Sequence, residues 1–281
     1  MAGEIARSGK SETVMALFHI FLLAIIQGLT EFLPVSSSGH LILLPALTDL
    51  QDQGLVIDVA VHIGTLFAVC WYFRHDVMLA LRGVPDVLRG RIDNQGAWLA
   101  LCLAVATVPV VIVGLIFHLL GVMEALRNIA VIGWMMIIFG IVLWAADRFG
   151  SERRAARNWG LRDALIVGLW QAVALIPGTS RSGATISGMR ALGFNRHDAA
   201  KIAMLMSIPT IIASGVLMGG DVVRLADWQA ARDGAIAAFI SFFAAWAALV
   251  FMMKLLRTVS FTPYVIYRLI LGSVLLVVAY S

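Results

Sequence analysis

Gln27 to His40 reads QGLTEFLPVSSSGH, and its reading decides the fold. An amide, a carboxylate, three consecutive hydroxyls and an imidazole fall within about four turns of helix. Apolar residues flank it on both sides, Val14 to Ile26 before and Leu41 to Leu47 after. Polar groups in hydrocarbon cost several kcal/mol each unless something satisfies them, so such a cluster is a functional site by default. Pro34 lacks an N–H and pushes Leu33 out of the helical region, which ends the first helix. Ser36 to Gly39 can cap a second helix running to about Leu47. Two half-length helices joined by a polar break make a re-entrant hairpin, tolerated at membrane depth where it lines a cavity or is covered by protein.

Working outward, a second stretch answers the first: Gln171 to Thr185, QAVALIPGTSRSGAT, where a short apolar helix ends at Pro177-Gly178 and another starts near Ser182. The 281 residues are 60% hydrophobic and 14% charged, against about a quarter charged in soluble domains, so the chain reads as a polytopic membrane protein. The net charge of +4 sits in short loops, as the positive-inside rule produces, and does not point to nucleic acid. The polar, mixed-charge residues 1 to 13 imitate a signal peptide, but no small-residue cleavage site follows and the segment is expected to be retained. Cys70 and Cys102 lie in apolar runs without metal-ligand spacing and read as small buried hydrophobes.

Full spans are expected at Leu55–Phe73, Ala97–His118, Ile129–Ala146, Ala199–Met218, Ala235–Met253 and Tyr264–Tyr280, with Pro109 and Pro209 inside two of them. Arg74 to Asn94 and the segment with Arg148, Arg153, Arg154 and Arg157 read as basic loops. The pattern is a hairpin plus three spans, twice over: a first repeat over 1–150 with its hairpin at about 14–48, and a second over 151–281 with its hairpin at about 161–192. Each unit crosses an odd number of times, so the second is inverted. The fold class is therefore all-α, six transmembrane helices plus two re-entrant hairpins in an inverted-topology repeat. With the Arg-rich loops inside, Lys254 and Arg257 also fall inside, while 48–54, 121–128 and both termini fall outside; the loop with Arg224 and Arg232 is the exception. The hairpin tips, Pro34 to Ser38 and Pro177 to Ser182, would meet near the bilayer middle, where transporters with broken helices bind their substrates.

Both tips open a helix, and helix N-termini with unpaired N–H groups favour anions. Gly178 and Gly183 allow close backbone approach, and the Arg181 fork suits phosphate oxygens. Ser36, Ser38, Thr179, Ser180 and Ser182 supply neutral donors, with Gln27, Gln171 and Thr185 in support. Glu31 is the one carboxylate of the first hairpin.

Taken together, Gln27-Gly-Leu-Thr-Glu31, Pro34-Val-Ser-Ser-Ser-Gly-His40 and Pro177-Gly-Thr-Ser-Arg-Ser-Gly183 resemble the undecaprenyl-diphosphatase, or bacitracin-resistance, family over essentially the whole chain. Gln27 stands where many members have Glu, which leaves one acid in the first motif and puts in doubt a mechanism needing a carboxylate pair. The resemblance implies hydrolysis of undecaprenyl diphosphate to the monophosphate at the outer face of a bacterial inner membrane, recycling the lipid carrier for cell-wall synthesis and conferring bacitracin resistance. It also implies Mg²⁺ or Ca²⁺, with Glu31 as protein ligand, and a catalytic set of Glu31, Ser37, His40 and Arg181. Three roles stay open: Ser37 attacks with His40 as base, His40 accepts the phosphoryl group, or Glu31 activates water while His40 protonates the leaving group. A transporter or flippase of a phosphate-bearing lipid is the alternative. The partners expected are a polyprenyl diphosphate and the membrane, without nucleic acid; a homodimer is compatible with the sequence.

The remaining polar residues take plainer readings. Asp58 and His62 form an i,i+4 pair that either borders the cleft or, the reading preferred here, bonds locally. Arg190, Arg196 and Lys201 read as charges at the membrane interface. Most of the tryptophans fall near span ends, as an aromatic belt would.

Overall fold

The computed structural model describes residues 2–41, 54–225 and 228–281. Eleven α-helices are named in chain order: α1 (Ala2–Phe32), α2 (Gly54–Tyr72), α3 (Arg74–Leu88), α4 (Gln95–Leu119), α5 (Val122–Leu126), α6 (Ile129–Phe149), α7 (Leu161–Val173), α8 (Arg181–Ala191), α9 (Arg196–Leu225), α10 (Trp228–Leu255) and α11 (Thr262–Tyr280). Among the described residues there is no β-sheet, and six helices are long and apolar enough to cross a membrane: Gly54–Tyr72, Gln95–Leu119, Ile129–Phe149, Arg196–Gly219, Trp228–Leu255 and Thr262–Tyr280. They fit a multi-pass membrane protein.

The expected breaks are present. α1 stops at Phe32 and the chain turns through residues 33–36 before residues 37–41 become helical again. α7 has 13 residues and α8 has 11, roughly 20 and 16 Å of helix, each short of the roughly 30 Å hydrocarbon core. The first apolar helix departs from expectation. α1 is continuous from Ala2, and its apolar part is Leu17–Phe32. Arg74–Asn94 is no loop either. It holds α3, whose Ala80 and Gly83 are buried, so an amphipathic pattern on a basic segment was read as punctuation. Beyond residue 41, the helix expected to reach Leu47 and most of the segment 48–54 lie outside the described residues.

Small residues bring the broken helices against full-length ones. A Cβ on Gly28 of α1 would lie 2.6 Å from the Ala244 Cβ of α10, and one on Gly168 of α7 would lie 2.5 Å from the Ala106 carbonyl of α4. Close backbone approach at small residues is the usual currency of helix association in lipid.

The Arg-rich segments gather at one end of the bundle. Tyr72 at the end of α2, His197 at the start of α9 and Lys254 near the end of α10 line one cavity, and Lys201 reaches Asp76 at 2.7 Å. A polar hub holds this end together. Asp147 Oδ1 accepts from Arg190 Nε at 3.0 Å and Arg196 Nε at 2.8 Å, and Oδ2 accepts the Phe261 N–H at 3.2 Å. Arg190 donates further to the carbonyls of Asp147, Gly150, Ser151 and Phe194 and has no exposed surface. It is a buried cross-link between α8 and the end of α6, where its isolated position near a predicted helix end had read as an interface charge.

Asp147→Ala leaves the buried Arg190 guanidinium with only the exposed Glu152, at 3.5 Å, as counter-charge, and removing one partner of a buried pair costs about 3–5 kcal/mol. The thermal unfolding midpoint of the detergent-solubilised protein should fall by several degrees, with Asp147→Asn falling less.

Candidate active site

The two breaks meet. The Gly178 N–H donates to Ser38 Oγ at 3.3 Å, Ser182 Oγ donates to the Leu33 carbonyl at 3.0 Å, and Arg181 forms an ion pair with Glu31 Oε1. Each tip is bent at a serine. Ser36 has φ 75° and Ser180 φ 69°, and they are the non-glycine residues with positive φ among the described residues. In each tip that serine pairs with the hydroxyl two residues on, Ser36 with Ser38 at 3.0 Å and Ser180 with Ser182 at 3.1 Å. Ser180 Oγ also accepts the Gly183 N–H at 3.1 Å and so caps α8, as a helix entry requires.

Glu31 is the hub of the cluster and is buried. Its Oε2 accepts from Gln27 Nε2 at 2.7 Å and from the Ser37 hydroxyl at 3.0 Å. Gln27 Nε2 spends its other hydrogen on His62 Nε2 at 3.1 Å, and that nitrogen is 3.8 Å from Glu31 Oε2. His62 Nδ1 faces the Asp58 backbone carbonyl at 2.7 Å. A carbonyl only accepts, so Nδ1 carries the proton and Nε2 the lone pair. His62 therefore belongs to the Glu31 cluster. The expected local pair is a bond to the Asp58 backbone.

His40 is fixed by the same logic. Its Nδ1 donates to the Ser36 carbonyl at 2.7 Å, leaving Nε2 to accept from the Tyr267 hydroxyl at 2.5 Å. The two rings stack with an interplanar angle of 4°. The Ser37 hydroxyl is engaged by Glu31 and the His40 ring by Tyr267.

Arg268 of α11 closes the arrangement from behind. It has no exposed surface, and donates to Pro34 O at 3.4 Å, Gly178 O at 3.0 Å, Thr179 O at 2.9 Å, Met135 O at 3.2 Å and Met136 O at 3.1 Å. One guanidinium thus satisfies carbonyls from both tips and from α6. A Cβ on Gly183 would lie 3.0 Å from its Nη1, and one on Gly178, at φ 89°, would lie 2.4 Å from the Ile132 carbonyl, so both glycines are needed for the fit.

Other expected members stand apart from this chemistry. Thr185 Oγ1 bonds the carbonyls of Arg181 and Ser182 on its own helix. Gln171 and Thr179 are buried, and neither Gln171 amide atom nor Thr179 Oγ1 has a hydrogen-bond partner. Gln27 Oε1 is likewise buried without a partner, a carbonyl-type oxygen on a residue already bonded to Glu31. Tyr267 and Arg268 were missed in the sequence, although an arginine inside the last apolar span is the signal that finds it. Among the described residues no three His, Cys, Asp or Glu side chains converge as a metal cage. Glu31 and the Gln27 oxygen do fit a hard cation that draws its other ligands from water and phosphate.

Comparison with known proteins adds the lineage. The family model described as bacitracin resistance protein BacA matches residues 20–274. A relative from Ruegeria pomeroyi named undecaprenyl-diphosphatase is 66% identical over 267 residues, 95% of this chain and 100% of that protein. Relatives of the same name from Alcanivorax borkumensis and Maricaulis maris are 43% identical over 268 residues and 42% over 267, covering 93% and 94% of this chain and 98% and 99% of their own lengths.

Arg268→Lys keeps a charge but has three donors on one point in place of a planar fork. It cannot reach the carbonyls of both tips, and turnover of a polyprenyl diphosphate should drop at least tenfold while the protein still purifies as a folded monodisperse species.

Proposed function

On the premise that the chain belongs to the bacitracin resistance protein BacA family, we propose that it hydrolyses undecaprenyl diphosphate to undecaprenyl phosphate and inorganic phosphate at the Glu31–Arg181 centre. The observation that carries this is the meeting of one carboxylate, one arginine, a carboxylate-bound serine and two serine-bent helix starts in one cluster. Such a set suits a polyanionic phosphate and little else. A C55 tail stays in the bilayer while the diphosphate head enters between the tips.

The two halves support an inverted repeat. Gln27, Ser36, Ser38 and Gly39 match Gln171, Ser180, Ser182 and Gly183, each pair 144 positions apart, and the bent serines and hydroxyl pairs repeat with them. α1 packs on α10 as α7 packs on α4. Each broken pair is then a re-entrant hairpin, one per leaflet. With the Arg-rich end in the cytoplasm by the positive-inside rule, the reaction faces the periplasm of a bacterial inner membrane.

Substrate binding changes the ion pair. Diphosphate oxygens compete for Arg181, which frees Glu31 Oε1 from its ion pair. Its Oε2 already receives the Ser37 hydroxyl, so Glu31 takes that proton as Ser37 Oγ attacks the terminal phosphorus. The Oγ–P bond forms and the bridging P–O bond breaks, releasing undecaprenyl phosphate. Water then hydrolyses the phosphoserine. Arg181 and the tip N–H groups stabilise charge on the equatorial oxygens. His40 is less suited to attack, since its Nε2 lone pair is held by Tyr267. A divalent cation, Mg²⁺ or Ca²⁺, would be held by Glu31 and Gln27 Oε1 and would neutralise phosphate charge.

In detergent, with a shorter polyprenyl diphosphate, phosphate should be released and EDTA should suppress it. Arg181→Ala should lose about 10²–10³-fold, the usual cost of removing a transition-state donor. A radiolabelled phospho-enzyme should be trapped in the parent and be absent from Ser37→Ala. Near-parental turnover in Ser37→Ala assigns attack to His40 or water. No turnover in any preparation would leave the lipid transporter as the reading.

A further inference from the structure

The far end of the bundle carries a second recess that the reaction does not use. A cavity of about 260 Å³ is lined by Tyr72, His197, Val250, Met253, Lys254 and Arg257. It lies where α2 ends, α9 begins and α10 ends. Three cations of this end are neutralised: Lys201 by Asp76, Arg196 by Asp147 and Glu152, Arg154 by Asp163. Lys254 and Arg257 have no carboxylate within ion-pair distance among the described residues, and both are exposed. Among the described residues, the His197 ring has its neighbour Asp198 as ion-pair partner, at 3.5 Å. The recess thus sets two uncompensated cations and an imidazole beside a phenol.

One wall is apolar and opens sideways. Val250 is 38% exposed, and from it an exposed stripe runs up α10 through Trp246, Phe243 and Phe239. Steps of three and four residues keep these on one helix face, and the stripe spans roughly 16 Å at about 1.5 Å per residue. That is comparable to an acyl chain lying against a helix. A charged recess continuous with a lipid-facing apolar stripe has the two-part chemistry of a phospholipid, head and tail.

We propose that this recess binds a phosphate-ester anion, the headgroup of an anionic phospholipid in the cytoplasmic leaflet, with a tail along Phe239–Val250. Basic pockets between spans on this side of a membrane hold such headgroups, and each Lys or Arg near an anionic surface is worth about 1 kcal/mol. The site is distinct from the Glu31–Arg181 centre in residues and in place.

The test uses the full-length protein exchanged into nanodiscs of equal parts phosphatidylglycerol and phosphatidylethanolamine, then released for native mass spectrometry. The parent should retain phosphatidylglycerol over phosphatidylethanolamine by at least fivefold, and Lys254→Gln/Arg257→Gln should lose that preference with hydrolysis unchanged. A second arm titrates inorganic phosphate and glycerol 3-phosphate against the protein's thermal midpoint in zwitterionic detergent. A saturable rise that the double variant lacks also supports the anion site, and marks the head alone as sufficient. Lipid selectivity without that rise assigns the source to the lipid. The proposal is overturned if parent and double variant behave alike in both arms, or if Arg232→Gln, at the other end of α10, removes the preference as fully.

Discussion

Backbone that bends inside a bundle of apolar helices must find partners for its own polar groups, and Arg268 supplies them here. Lipid offers no water to a carbonyl exposed by a broken helix, and each unsatisfied group costs several kcal/mol. Two breaks placed side by side double the problem. A single guanidinium has five N–H donors in a fixed plane, enough to serve carbonyls of Pro34, Gly178 and Thr179 together with two from α6. The tips are therefore held in register by a third element that belongs to neither. Gly140 and Gly183 leave the room its side chain occupies, so the packing of α6, α8 and α11 is organised around one charge.

With the scaffold fixed from behind, the front of the tips is free for exchangeable contacts. The Glu31–Arg181 pair is such a contact. A buried ion pair is poor evidence for stability, because desolvation offsets most of the Coulomb gain. It is well suited to substitution by a ligand of the same charge. In the mechanism proposed above, the diphosphate would replace the carboxylate on Arg181 and leave the carboxylate to act on Ser37. Binding and activation are then coupled through one arginine, and the affinity is limited because an internal anion must be displaced.

The sequence revealed the helix breaks, the spans and the residues at the tips, because Pro34, Pro177 and the serine runs are local signals with local causes. It misassigned what depends on tertiary partners. Arg190 was taken for an interface charge because nothing in its neighbourhood names Asp147, 43 positions earlier. His62 does bond to Asp58, one turn away, through its backbone carbonyl, but its second contact, with Gln27 across helices, was not legible. The basic segment after Tyr72 was read as a loop from its arginines; it is a helix, and the residues it buries are the small Ala80 and Gly83. Arg268 was the avoidable miss: a cation well inside a span is costly wherever it lies, and that alone marks it. The alternation of short helices and full spans was legible as hydropathy. The match of Ser36 to Ser180 emerged once their backbone angles were seen.

Those two serines have a consequence beyond this chain. A positive φ is unfavourable for any residue with a Cβ, by about 1–3 kcal/mol in sparsely populated regions. Glycine would make both corners with less strain. Serine at each corner means that a side-chain oxygen is retained against conformational preference, twice, at equivalent places. Paired left-handed serines at membrane-depth discontinuities are thus a geometric fingerprint, independent of any motif. Scanning backbone angles of other helical membrane proteins for that fingerprint would show which of them turn two broken helices at serines, whatever their sequences.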